Sequence, residues 1–508
     1  MKRALALLLA AALAVTLTAC GGEPIQPVES QTPAPTAPAE RQPFALAYDP
    51  GGSLHPITGF NQVNLDLAPL VYEGLYELDN TFTAQPVLAG EASVSEDGLT
   101  WTIALKSGVC FSDGTPLTAD HVAASLNTAR SSTLYASRLS GVTSVQAGDG
   151  EVSIALSAPN GALPALLDIP VVLEQENGIP LGTGRYRFAG EGGSFALVAN
   201  PNYDGDDGLP YDGIPLRAVT TADERIAAFD SGEVTAVTTD FSSAYALGYS
   251  GSYETCDFPT TNLVYVGFRT TAGPCQSPQV RQAFSRLFDR VSVVKSLLAG
   301  HGDPACLPIS PSHGDYDESA AALLDYDVQQ AEELLAAAGY ARGEDGLWYS
   351  RRTSLAVTLI VNSDSVAKQN IADYLAASLE GMGVTVTVKK LAWEDYEGAL
   401  KKGNFDLYIG EVRLTGDFDP TQMLTGSLNY GGYSSETVSA LLTAWRAAQG
   451  EARTQAAEQL WLALAEEVPL APLCFKRGSL LVRWGMVTNL QPTRGDPFHR
   501  MEEWERVS

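Results

Sequence analysis

The hydrophobic pattern changes period four times between Leu355 and Ile409. Leu355–Val361 is almost continuously apolar, as expected of a strand buried on both faces. Across Asp364–Glu380, Val366, Ile371, Leu375 and Leu379 recur at helical spacing, and Gly381 and Gly383 close the pattern. Val384–Val388 is a β-branched strand, Trp393–Lys401 predicts a short helix, and Phe405–Ile409 a third strand. A β-α-β-α-β order implies a parallel sheet with right-handed crossovers. Ligands of such sheets sit beyond the carboxyl ends of the strands, here the loops after Val361, Val388 and Ile409.

Other elements are marked by their ends. Ser277-Pro278 places a capping hydroxyl before a proline at the first helical position and predicts a helix over 278–299. Asp327 to Gln330 resembles a capping box, and Gly339 suits the residue after that helix. Two helices over 435–449 and 451–466 precede a late strand at 478–483. The first half is richer in short strands, at 44–48, 100–106, 151–157, 185–189, 195–199, 216–220, 234–239 and 262–269. No internal repeat is found.

The amino terminus has a different pattern. Lys2 and Arg3 precede an Ala/Leu/Val run from Ala4 to Leu17, then the small residues Thr18 and Ala19, the order of a secretory signal over residues 1–19. The run falls short of the roughly 20 residues that span a bilayer. Leu17-Thr18-Ala19-Cys20-Gly21 resembles a bacterial lipobox, which implies lipidation of Cys20. Residues 20–43 lack apolar content and contain six prolines, so they are expected to form a tether from the lipid anchor.

Charge and cysteine usage narrow the class. The chain has 32 basic and 60 acidic residues; without Lys2 and Arg3 the charge is −30. So acidic a protein repels nucleic acid and anionic head groups, which removes both as partners. Residues 44–508 suffice for two or three domains with real cores. Apart from Cys20 the cysteines are Cys110, Cys256, Cys275, Cys306 and Cys474, so at least one stays unpaired. Cys275 and Cys306 flank one predicted helix in loop-like sequence and form the best disulfide candidate.

Chemistry-bearing motifs are absent from the sequence. It has no Gly-x-Ser-x-Gly, His-Glu-x-x-His, Cys-x-x-Cys or P-loop pattern, and its five histidines are scattered singly. The acid-rich stretch at 203–213 fails calcium-loop spacing because its glycine comes too early. No catalytic residue, cofactor or metal is expected. Triads are spatial, so a surface enzyme stays open as an alternative.

A family resemblance emerges from longer stretches. "PVLAGEASVSEDGLTWTIALKSGVCFSDGTPLTADHVAASL" (86–126), with its Phe111-Ser-Asp-Gly-Thr-Pro116 turn, resembles the signature region of the extracellular solute-binding proteins of family 5, the peptide- and nickel-type binding components of ABC importers. "LVYEGLYELD" (70–79), "PLGTGRYRF" (180–188), "VRQAFSRLFDR" (280–290) and "EEVPLAPL" (466–473) come in the family's order, within a resemblance spanning roughly residues 44–485. It implies an α/β fold of two lobes joined by two crossover strands. Lobe I is then 44–265, with an extra domain inserted at about 81–180, lobe II is 266–478, and 479–508 returns to lobe I.

The resemblance also suggests where a ligand is held. The loop "LHPITGFNQVN" (54–64) puts Phe60, Asn61 and Gln62 in line for the pocket, and Thr260 and Thr261 enter a crossover strand facing the cleft. At "FDLYIGEVRLTGDFDP" (405–420), Asp417 matches an aspartate that pairs with a peptide's α-amino group in relatives. Leu414 replaces a tryptophan common there, and Glu411 and Arg413 add charges that must pair with each other or with ligand. The arginine that some dipeptide binders carry before the helix at 364–380 is missing from Leu359-Ile-Val-Asn-Ser363. The expected function is capture of an oligopeptide or similar polar solute between closing lobes, for an ABC permease and its ATPase, by a lipid-anchored monomer outside the cell. A peptidase-like surface lipoprotein or a signalling receptor on the same fold are the alternatives.

Overall fold

The computed structural model describes residues 43–191, 194–205, 208–242 and 248–507. The leader, the lipidation candidate Cys20 and nearly all of the tether lie outside the described residues. Phe44–Ser508 forms one compact unit.

Its elements keep the alternation seen in sequence. β1 (Leu46–Tyr48) leads to the hairpin β2 (Tyr76–Leu78) and β3 (Ala84–Pro86). Next come β4 (Ala89–Val94), β5 (Thr100–Leu105), β6 (Val142–Ala147) and β7 (Glu151–Leu156), an antiparallel sheet in the order β4-β5-β7-β6. β8 (Tyr186–Glu191), β9 (Ser194–Ala199) and β10 (Gly213–Ala218) join β1 in the order β1-β10-β9-β8, with β1 parallel to β10. One buried cluster serves both sheets: Phe44, Leu46 and Tyr48 share it with Trp101, Ile103 and Ile154. Phe498, Met501 and Trp504 of the C-terminal segment join the same core, with the Trp504 ring 5.8 Å from Phe44.

Two long strands connect this lobe to the next. β11 (Ala236–Thr239) pairs with the last residues of β20 (Leu470–Arg483), and β20 runs antiparallel to β12 (Tyr253–Phe268). The far half of β12 pairs with lobe II strands. The β12–β20 register breaks between Pro259 and Leu263, where a proline cannot supply a ladder N–H. The late strand therefore begins at Leu470 rather than 478, because its first half is needed to pair with β12 at the crossover.

Lobe II contains β13 (Gly302–Pro304), the small sheet β14 (Ala341–Arg342), β15 (Trp348–Ser350) and β16 (Thr353–Ser354), then β17 (Ala356–Asn362), β18 (Thr385–Leu391) and β19 (Leu407–Arg413). β17 lies parallel to both β18 and β19, the order the apolar pattern requires. The connecting helices are Val366–Gly381 and Trp393–Lys402. Ile371, Leu375 and Leu379 bury the inner face of the first against this sheet.

Three sequence expectations are corrected by the structure. The helix expected over 278–299 stops at Arg286; Asp289 caps a new turn, and a π turn covers Val293–Leu297. The break is stabilised by buried Arg290, which donates to the carbonyls of Ser285 and Leu324 (both 3.0 Å) and of Pro472 (2.8 Å). The Ser277 hydroxyl donates to Gln279 instead of accepting from the helix. Cys275 and Cys306 are not bridged; both are free and buried. They sit at opposite ends of the helix Pro278–Arg286: Arg281 in that helix binds the Cys275 carbonyl, whereas Arg290 beyond it binds Ala305. Burial pushes both thiols above the ordinary cysteine value, which leaves them unreactive.

Candidate functional site

A groove of about 370 Å³ opens between the two lobes. Lobe II contributes the end of β19 and the residues after it, Arg413, Leu414 and Thr415. Of the three carboxyl-end loops expected to meet ligand, only this third one lines the groove. The facing wall comes from the helix Gln62–Leu65, the stretch Tyr72–Leu78, residues 134–138, Asp168, Arg185 and the C-terminal stretch Thr493–Asp496.

Local sequence chemistry fixes that wall. Asn61 caps its short helix by accepting from the amides of Val63 (3.0 Å) and Asn64 (3.4 Å), and its own amide donates to Asp49. Gly184 lets the 182–185 segment lie against 71–72, since a Cβ there would sit 2.7 Å from the Val71 carbonyl carbon. Tyr72, Tyr76, Tyr135 and Tyr203 add aromatic surface to the lining.

Two charge clusters line the groove. In the first, Asp168 is shared by Arg138 and by Arg494, whose Nη2 lies 2.9 Å from it. Arg413 projects into the same groove, held by the Asn262 amide oxygen at 3.2 Å, and has no carboxylate within ion-pair range among the described residues. Burial pulls the Arg494 guanidinium below the ordinary arginine value; Asp168 opposes this, and the like charges of Arg138 and Arg413 add to it. Three guanidinium groups thus face one carboxylate. In the second cluster, Arg185 pairs with Asp496 (3.0 Å) and Glu502 (3.5 Å), close to Glu73 and Glu77. Burial raises both of these glutamates, while a hydrogen bond from Thr183 (2.7 Å) opposes the shift at Glu73 and His499 opposes it at Glu77.

The residues singled out in sequence fall in different places. Gln62 and Arg413 line the groove, and Gln62 also donates to Asp66 at 2.7 Å. Phe60 is 83% exposed at the tip of its loop, and Asn61 serves as the cap. Thr260 and Thr261 sit at the register break of β12: the Thr260 hydroxyl donates to the Lys476 carbonyl, and the Thr261 carbonyl accepts from Leu414 N–H. They fasten the crossover rather than face the groove. Glu411 pairs neither with Arg413 nor into the groove; it lies 3.0 Å from Lys476 and 3.2 Å from Lys368.

Asp417 is 4% exposed and lies outside the groove lining. Its carboxylate accepts from Asn160 (3.1 Å) and Thr415. Asn160 begins a segment pressed against lobe II: Gly161 N–H donates to the Arg446 carbonyl at 2.7 Å, and a Cβ on Gly161 would meet the Ala448 carbonyl oxygen at 1.9 Å. The fold therefore satisfies the Asp417 carboxylate internally.

Arg138, Asp168, Arg494, Glu73, Glu77 and Arg185 were missed by sequence reasoning. Glu73, Glu77 and Arg185 stood inside stretches quoted for the family resemblance, which is a usable signal. The others are isolated charges far apart in the chain, brought together only by folding.

A two-lobed α/β chain with a charged interlobe groove and two crossover strands has the architecture of a binding protein. The sequence model "Bacterial extracellular solute-binding proteins, family 5 Middle" matches residues 83–435, and the chain belongs to that family. Among curated relatives, the glutathione-binding protein GsiB of Pectobacterium atrosepticum is 28% identical over 437 residues, covering 80% of this chain and 84% of that one. Among solved structures, the periplasmic murein tripeptide-binding protein MppA superposes with a TM-score of 0.78 at 20% identity, covering 92% of this chain and 98% of that one. A nickel ABC transporter protein of Bacillus halodurans gives 0.74 at 19% identity, covering 89% and 97%. These structures share the fold. Among the described residues no helix is long and apolar enough to cross a membrane.

Proposed function

We propose that this protein is the substrate-binding component of an ABC importer, anchored outside the cytoplasmic membrane through lipidated Cys20. It captures one small, charged, peptide-like solute between its lobes as a monomer and presents it to a permease. The observation behind this reading is the interlobe groove with an arginine cluster and a glutamate cluster in one cavity. Such a groove suits a molecule with both carboxylate and ammonium groups. A volume of about 370 Å³ favours a di- or tripeptide-sized solute over a long peptide. The names of relatives point the same way, since GsiB is described as glutathione-binding and MppA as tripeptide-binding.

In this mechanism the β12–β20 pair acts as the hinge, and ligand bridging the lobes stabilises the closed form. The glutamate cluster takes the amine-binding role that sequence had given to Asp417. Native mass spectrometry of the purified chain should find a co-purified small solute, and adding that solute should compact the protein in solution scattering. A solute that binds without changing the scattering profile would refute lobe closure.

A further inference from the structure

We propose that Arg138, Arg413 and Arg494 form a subsite for two acidic groups of the ligand, so that this receptor selects dicarboxylate peptides over their neutral isosteres. The inference deepens the receptor reading above and rests on it. At one end of the groove three guanidinium groups gather around a single carboxylate, Asp168, while the other carboxylates of the lining, Glu73, Glu77 and Asp496, belong to the second cluster around Arg185, so positive charge is in local excess at the Asp168 end. This local excess stands in a chain whose net charge is −28, so general composition does not explain it. Like charges gathered in a partly buried groove oppose one another unless an anion joins them.

The donors are also incompletely used. Arg494 is largely enclosed, one of its amines meets Asp168, and its Nε has no hydrogen-bond partner among the described residues. A buried guanidinium N–H without an acceptor is costly, which adds to the strain of gathering these arginines without a further anion. Among the described residues Arg413 meets only a neutral amide. Planar forks of this kind match carboxylates in two-point contact. Arg413 comes from lobe II, whereas Arg138 and Arg494 come from the opposite wall. A ligand acid held by both sides would join the lobes, so the same contact supplies selectivity and closure.

The test offers the purified chain an equimolar tripeptide library built from Ala, Leu, Gln and Glu, with bound members read by native mass spectrometry. Peptides with a Glu should be retained about tenfold or more over the matching Gln peptides, the loss expected for one charge-assisted contact. In Arg413→Gln, whose side chain is exposed enough to leave folding intact, that preference should fall toward one. Equal retention of Glu and Gln members would overturn the diacid subsite and leave the receptor reading standing. Retention of no peptide, with no co-purified solute, would overturn the receptor reading and this inference with it. An undiminished Glu preference in Arg413→Gln would overturn the role of the three-arginine cluster.

Discussion

Replacing Lys476 by methionine tests how the hinge is held. Lys476 lies in β20, is 8% exposed, and bridges Asp240 at 2.6 Å and Glu411 at 3.0 Å. Asp240 comes just after β11 in lobe I and Glu411 lies near the end of β19 in lobe II, so one ammonium links both sides of the crossover. Although burial opposes it, Lys476 holds both carboxyls below their ordinary values. Removing one partner of a buried pair costs about 3–5 kcal/mol. Here the carboxylates are 40% and 26% exposed and Glu411 keeps Lys368 at 3.2 Å, so about 2 kcal/mol is expected. For a chain of this length that corresponds to roughly 2 °C in melting temperature. Calorimetry of wild type and Lys476→Met across pH provides the assay. Lowered carboxyls add stability above their unfolded-chain values of 3.8 and 4.5 and lose it as pH falls through the lower folded values. The gap between the two proteins should be complete above pH 4.5 and should close in stronger acid. An equal melting temperature at neutral pH, or a gap that widens in acid, would refute the network as a source of stability.

Separate contacts give the remaining expectations. Asp417→Asn should lower ligand-free stability by about 1 kcal/mol, since it weakens a buried hydrogen-bonded carboxylate, and should leave ligand affinity unchanged in calorimetric titration. Gly161→Ala should destabilise by about 2 kcal/mol or more in denaturant titration, because the new methyl meets backbone that cannot yield. Unreduced protein unfolded with iodoacetamide should be alkylated at both Cys275 and Cys306, and melting should be identical with and without reductant. Cys20→Ala should release the protein from membranes, as shown by fractionation after a salt wash; retention would refute the lipid anchor.

Local periodicity determined much of this protein. Strands β17, β18 and β19, the helices between them, the Asp327 cap and the glycine at 339 could all be placed from sequence, because each depends on neighbours within one turn or one strand. The family stretches determined the two-lobe plan. Arg413 and Gln62 were readable as groove residues because they sit at element ends, where the chain turns toward the cleft. Tertiary structure decided the rest. Glu411 and Arg413 stand two residues apart, yet each found its partner on another strand or helix rather than in the other. The family resemblance suggested an amine-binding role for Asp417, whereas in the fold Asn160, 257 positions away in sequence, donates to its carboxylate. Arg138, Asp168 and Arg494 come from three distant segments and form one cluster. A hydrophobic period records which face of an element is buried; it does not record which distant charge will lie opposite. Charge pairing acts through space at a few ångströms, so only the folded chain decides which ionisable groups satisfy each other and which remain for a ligand.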